Sequence, residues 1–403
     1  MTIIGASDVE KARGPILVGP GDVVTPLARD RAGELGIELR YGGEAPSPPA
    51  RPVGGPVAVT APLSSQPGVD LANALYRRGA PVAAAIAPGR PREGAGRPKV
   101  AVVGAGHVGS MAALHLAEAD LFSKVMLIDV MEGLAAGVAL DLWHCASVGG
   151  FSTLVEGTTA FSDLADYDYV VVTAGRARKP GMTRTDLTQA NADIVGPVAD
   201  QIREYAPESV VVVVTNPLEE MTHLTQVRSR FPPERVLGMA GVLDSARFCA
   251  FVALTGVGRP DEVVAYALGS HGPEMVIPLS QATVAGRPIR SVLQSEALAA
   301  ITERARESGA EVVSLLKSGS AYFAPGRSAA EMVCEMVSSR GLLLTCAVVP
   351  NGEYGLRDTR VGLPVRLGPG GLTEIVTLTL EDEELQQLRR AAQSLSERIH
   401  AVG

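Results

Sequence analysis

From Lys99 onward, short apolar runs alternate with longer amphipathic segments. KVAVVGAGHVG reads as an apolar strand running into a glycine loop, and SMAALHLAEADL after it reads as a helix. KVMLID is a second strand. DYVVVTAG, the helical QANADIVGPVADQIREYA and SVVVVVTNP continue the alternation. Strands that are apolar throughout need cover on both faces, which predicts a parallel sheet flanked by helices. From about residue 260 the pattern shifts. EVVAYALG and MVIPLSQATVAGRPI suggest antiparallel structure, and SEALAAITERARESGAEVVSLLK a long helix. LLLTCAVVP and GLTEIVTLTL read as strands, and a charged helix starts at Glu381. The fold class expected is α/β: a Rossmann-type doubly wound sheet, then a mixed α/β domain, with a small N-terminal α/β extension.

The first 98 residues have a different texture. Two Pro/Gly-rich stretches, GGEAPSPPARPVGGP (42–56) and PGRPREGAGRP (88–98), read as linkers. Before the first, Thr25 can N-cap a short helix with Pro26 at its first position and Gly36 at its end. Between the linkers, PVAVTAPLSSQPGVDLANALYRRGAPVAAAIA reads as strand–helix–strand. The division expected is an extension over 1–98, a dinucleotide-binding domain over 99–243 and a substrate domain over 244–403.

Composition narrows the function class. The net charge of −8 makes nucleic acid a poor partner. No apolar run reaches the length of a membrane span, and MTIIGASDVEKARG lacks the basic and apolar regions of a signal peptide. Cys145, Cys249, Cys334 and Cys346 are far apart, without CxxC spacing. The expectation is therefore no zinc site, no disulfide framework and a cytoplasmic, reducing compartment.

Gly104, Gly106 and Gly109 form GAGHVG between a strand and a helix, and Asp129 ends the next strand. In this context each glycine has a reason: a tight turn, close approach of backbone to a pyrophosphate, and close helix packing. Asp129 would accept from the adenine-ribose hydroxyls. DVMEG brings no arginine to relieve a 2′-phosphate, which favours NAD over NADP. Three further segments carry polar chemistry: TAGRARKPGMTRTDL (173–187), VTNPLEEMT (214–222) and GVLDSARF (241–248). In the last, Asp244 and Arg247 share a helix face. His271 stands in GSHGPEM, one of only six histidines in the chain.

From about Pro98 to its end the chain resembles the malate/lactate dehydrogenase family. It looks most like the bacterial malate dehydrogenases built on the lactate-dehydrogenase plan. The matching stretches are VVGAGHVGS, VVVTAGRARKPGMTRTDL, NADIV, VVTNP, GMAGVLDSARF, GSHGPEMVIPL, GSAYFAPGRSAAEMV and NGEYGLRDTRVGLPV. The resemblance implies that His271 exchanges a proton with the substrate oxygen while Asp244 fixes and charges its imidazole. Arg247 would grip the substrate carboxylate and Arg184 would polarise the reacting carbonyl. Asn216 would bond substrate near the nicotinamide, and Asn191, Val214 and Asn216 would line the cofactor. The loop around Lys179–Gly181 would close over the site.

Arg178 falls at the family's discriminating position, arginine in malate enzymes and usually glutamine in lactate enzymes. A second carboxylate needs a cation there, whereas a methyl group would leave that cation buried and unpaired. The expected reaction is thus malate/oxaloacetate with NAD, with lactate/pyruvate as the alternative. Arg176 and His107 are expected to be peripheral. Where the family has Asn-Pro-Val-Asp, this chain has Asn216-Pro217-Leu218-Glu219. Cys249 reads as a small buried hydrophobe. Trp143 and His144 fall where the family packs subunits, so interface or core packing is expected, in a dimer or tetramer.

Residues 1–98 lie outside the dehydrogenase plan. VVTPLARDRAGELGIEL loosely resembles short segments on enzymes of bacterial microcompartments, where a tail recruits cargo to a shell. That would place the enzyme beside a shell or cargo partner and revive lactate as substrate. An accessory domain or oligomerisation arm is the plainer reading. A scaffold that kept the fold and lost turnover is the remaining rival; the complete set Arg184, Asn216, Asp244, Arg247 and His271 argues against it.

Overall fold

The structure, a computed structural model of the chain, describes residues 3–41 apart from Gly5, Pro20 and Gly21, and residues 96–400 apart from 178–181 and Ser318. The two described stretches fall in different compact units. In the first, strands β1 (Ile3–Ile4) and β3 (Val23–Val24) pair in parallel, as do β2 (Ile16–Val18) and β4 (Leu39–Tyr41). Helices Ala6–Lys11 and Pro26–Leu35 join them. The second helix has the ends expected of it. Thr25 Oγ1 accepts from Ala28 N at 3.2 Å, Pro26 opens the helix, and Gly36 closes it at φ +66°. Ile4, Val9, Val18, Val24, Ala28 and Ala32 form its core. The strand–helix–strand read between the linkers lies outside the described residues, as do the linkers themselves apart from the last three residues of the second.

The main unit opens with six parallel strands: β5 (Lys99–Val103), β6 (Lys124–Ile128), β7 (Leu154–Thr158), β8 (Tyr169–Val172), β9 (Val210–Val213) and β10 (Val236–Gly238). Their spatial order is β7-β6-β5-β8-β9-β10. This is the order of a doubly wound dinucleotide fold, with its switch point between β5 and β8. Alternation along the strands fills two cores. Val100, Val102, Val125, Leu127, Val171 and Val212 face one side; Ala101, Val103, Met126, Ile128, Val170, Val172 and Val213 face the other. Each fully buried valine contributes roughly 1.5–3 kcal/mol, which explains why β5, β6, β8 and β9 are apolar and buried almost throughout.

The sheet does not stop at β10. It continues antiparallel through β16 (Leu344–Val348), β17 (Val361–Gly368), β12 (Leu268–Gly269) and β13 (Met275–Val276), with β18 (Gly371–Ile375) also on β17. A smaller sheet joins β11 (Val263–Val264), β14 (Thr283–Val284) and β15 (Arg287–Pro288). Helices Ser295–Leu316, Phe323–Ser338 and Asp382–His400 complete the second half. Helix Phe323–Ser338 lies directly on helix His107–Glu118: a Cβ on Gly326 would come 2.6 Å from Met111 Cβ. That contact fixes the helix whose start forms the glycine turn.

Candidate active site

The three glycines of the β5 turn differ in what they allow. Gly104 sits at φ +106°, a region open mainly to glycine, and a Cβ on it would lie 2.7 Å from Ala174 N. A Cβ on Gly109 would lie 1.8 Å from Gly104 O, so only glycine lets the helix approach its own turn. At Gly106 a Cβ would meet nothing within 4 Å. Gly106 is also the N-cap of helix His107–Glu118, and no side chain caps it. Open space against an uncapped helix N-terminus suits a pyrophosphate. Asp129 accepts from Ala105 N at 2.8 Å through Oδ2 and from Met131 N at 3.0 Å through Oδ1. A carboxylate so anchored keeps lone pairs for ribose hydroxyls. These residues fit a dinucleotide.

The polar residues singled out in the sequence converge at the carboxyl ends of β8, β9 and β10. Helix Gly241–Ala253 follows β10 and carries Asp244 and Arg247 one turn apart. His271 follows β12. Asp244 is buried and accepts twice: from His271 Nδ1 at 2.7 Å and from Arg247 Nη1 at 3.1 Å. Burial disfavours the imidazolium, but the charge of Asp244 and its hydrogen bond outweigh this, so the His271 pKa rises. With Nδ1 committed to Asp244, Nε2 is left for a substrate. Arg247, with one nitrogen on Asp244, retains donors for a carboxylate.

Glu219, read in the sequence only as a departure from the family motif, and Glu220, which sequence reasoning passed over, hold these groups. Glu219 is buried, and its Oε1 accepts from His271 N at 2.6 Å. Its burial pushes its pKa up, against the pull of His271. Glu220, also buried, accepts from Arg184 Nη2 at 2.8 Å. Arg184 opens helix Arg184–Tyr205, whose N-cap Thr183 and Asp186 form a reciprocal capping box. Two adjacent acids inside an otherwise apolar helix start were the available signal, since buried acids need partners.

Asn191 is a clamp. Its Oδ1 accepts from Arg176 N at 2.7 Å, and its Nδ2 donates to Arg176 O at 3.2 Å and to Asn216 O at 2.6 Å. It ties the loop after β8 to the loop after β9. Val214 is buried, with its N donating to Val172 O at 2.8 Å, and Asn216 is exposed. Arg176 is exposed. Arg178 and the loop 179–181 lie outside the described residues. The His107 ring lies 5.0 Å from that of Tyr322. Burial raises the Cys249 thiol to about 11, in keeping with a small apolar role. Trp143 and His144 are exposed, so within one chain they are not core residues.

Residues 98–238 match the family model described as lactate/malate dehydrogenase, NAD binding domain. Residues 241–402 match lactate/malate dehydrogenase, alpha/beta C-terminal domain. The malate dehydrogenase of Chlorobium phaeobacteroides is 44% identical over 299 residues, covering 74% of this chain and 96% of that protein. The crystallised malate dehydrogenase of Salinibacter ruber superposes with a TM-score of 0.71 at 37% identity, over 75% of this chain and 96% of its own. The lactate dehydrogenase of Cryptosporidium parvum, solved with lactic acid and nicotinamide adenine dinucleotide, gives a TM-score of 0.73 at 32% identity, over 76% and 98%.

Proposed function

The chain belongs to the lactate/malate dehydrogenase family, and from that premise we propose that it catalyses reversible hydride transfer between malate and oxaloacetate with NAD. The observation that carries the chemistry is the His271–Asp244–Arg247 constellation, one buried carboxylate holding an acid/base and a carboxylate-binding cation. When bound, NAD supplies or accepts the hydride. Gly104, Gly106 and Gly109 would hold its pyrophosphate, Asp129 its ribose hydroxyls, and Val214, Asn216 and the Asn191 clamp would line its site.

For reduction, Arg247 fixes the substrate's 1-carboxylate and Arg184 stands by the carbonyl oxygen as negative charge develops there. His271 gives that oxygen a proton from Nε2, and Asp244 stabilises the imidazolium until it does so. In oxidation the same nitrogen takes the hydroxyl proton. Arg178 supplies the cation for the second carboxylate of the C4 acid. The division into 99–243 and 244–403 separates cofactor from acid/base.

Assembly with further copies is supported by the apolar side chains exposed along Leu134–Gly149: Leu140, Trp143 and Val148. For the N-terminal 98 residues the plainer reading is an accessory domain or oligomerisation arm, and the alternative is recruitment to a shell or cargo partner. The first is supported by the self-contained apolar core within residues 3–41. Deleting 1–98 should leave turnover intact; co-sedimentation with shell protein that the deletion abolishes would favour recruitment. The main reading is tested by initial rates of NADH oxidation with oxaloacetate and with pyruvate. Preference for oxaloacetate supports it, and preference for pyruvate would overturn it.

A further inference from the structure

Glu219 and Glu220 sit side by side on helix Leu218–Ser229, and each is tied to a different group of the reaction centre. Glu219 holds the His271 backbone, and Glu220 holds the Arg184 side chain. The Glu220 side chain is only 2% exposed, whereas that of Arg184 is 49% exposed. A third residue reaches this place from the last helix of the main unit. Arg398, on helix Asp382–His400, donates through Nη1 to Glu274 Oε2 at 2.9 Å and to Ser394 Oγ at 2.7 Å. Its Nη2 donates to Ser270 Oγ at 3.3 Å, next to His271. Its Nε lies 3.6 Å from the same Glu220 oxygen that Arg184 uses. Among the described residues, this buried Nε and the buried Glu220 Oε2 both lack a hydrogen-bond partner.

Two buried, unsatisfied polar atoms beside one occupied ion pair need a reason. A fixed Arg184–Glu220 pair supplies none, and it would keep the Arg184 guanidinium from a substrate. A carboxylate this buried needs a hydrogen-bonded cation, so Arg184 can leave only if Arg398, already within ion-pair distance at 3.6 Å, closes on it. Arg398 is placed to do that. Its two terminal nitrogens are anchored, its Nε makes no hydrogen bond, and a shift of roughly 1 Å would bring Nε to charge-assisted bonding distance.

We infer that Glu220 and Arg398 are positioning residues that release Arg184 to the substrate: Glu220 holds the Arg184 guanidinium in the resting enzyme, and Arg398 takes over that carboxylate when Arg184 turns to the reacting carbonyl. The inference rests on the assignment of Arg184 to that carbonyl. It makes the last helix part of the reaction centre, through a residue that touches no substrate.

The test is a double-mutant cycle on the full-length chain, read as kcat/KM for oxaloacetate, with thermal unfolding to confirm folding. Arg184→Gln should lower it by about 100-fold or more, as loss of a transition-state donor does. Arg398→Met should lower it by about tenfold or more, because Glu220 then loses its replacement cation. Glu220→Gln removes the charge that needs replacing, so in that background Arg398→Met should cost almost nothing. Arg398→Lys should recover part of the loss. If Glu220→Gln does not fold, Glu220→Met completes the same cycle. An equal loss from Arg398→Met in both backgrounds would overturn the exchange and leave Arg398 a structural residue. An Arg184→Gln enzyme with unchanged kcat would instead overturn the assignment of Arg184, and the exchange with it.

Discussion

Replacing Asp244 by Asn keeps the side chain's shape and removes its charge. The wild-type carboxylate is buried and accepts from His271 Nδ1 at 2.7 Å and from Arg247 Nη1 at 3.1 Å. Burial lowers the His271 pKa, but Asp244 more than offsets it, and the net shift is upward. In the variant the burial remains and only the weaker pull of Glu219 is left to offset it, so the pKa drops. A hydrogen bond to a charged group is worth about 1.5–3 kcal/mol. At about 1.36 kcal/mol per pKa unit, that corresponds to a fall of roughly one to two units.

The sign of the pH effect follows from the chemistry. Reduction of oxaloacetate needs protonated His271, so kcat/KM declines as pH rises through its pKa; malate oxidation needs the neutral form and rises there. Both limbs should move to lower pH by roughly one to two units in Asp244→Asn. Rates at the optimum should fall by about 10²- to 10⁴-fold. Stability moves with it. A raised native pKa contributes stability that is complete below the ordinary histidine pKa and lost as pH rises through the native value. The variant should lack that contribution. The assay is the initial rate of NADH absorbance change in both directions across pH. Limbs that stay at the wild-type pH would refute the role given to Asp244.

Gly109→Ala should abolish NADH binding in a fluorescence titration or fail to fold, because its Cβ would lie 1.8 Å from Gly104 O. Gly106→Ala meets open protein space, so it should keep the wild-type melting temperature while raising KM for NADH. Arg247→Met should raise KM for oxaloacetate by about 100-fold or more, read from initial rates, since a charge-assisted bidentate contact is lost. Asp129→Ser should narrow the preference for NADH over NADPH, measured as the ratio of kcat/KM values, because a carboxylate no longer faces the 2′-phosphate.

What could be read ahead of the structure was what depends on local order. Val100 to Val103 alternate between two cores, and the glycines after them sit where a strand must turn sharply into a helix. Thr25, Pro26 and Gly36 act within one helix and were equally legible. Asp244 and Arg247 are one helical turn apart, so their pairing followed from spacing. The meeting of His271 with Asp244 did not; it came from resemblance, because the two lie 27 positions apart with strands β11 and β12 between them. Arg398 escaped because nothing near it in the chain points to Glu220, and only the course of the last helix brings them together. The antiparallel strands were expected in a second domain, but their joining the parallel sheet through β10 and β16 is a matter of tertiary pairing.

Specificity for a dicarboxylate is the central claim, and Arg178 is the residue on which it turns. The most direct measurement is the ratio of kcat/KM for oxaloacetate to that for pyruvate, in the wild type and in Arg178→Gln. The wild-type ratio should lie well above one and collapse in the variant by about 10³-fold or more, the scale of leaving a buried charge unpaired. A ratio that the substitution leaves unchanged, or a wild type that prefers pyruvate, would contradict it.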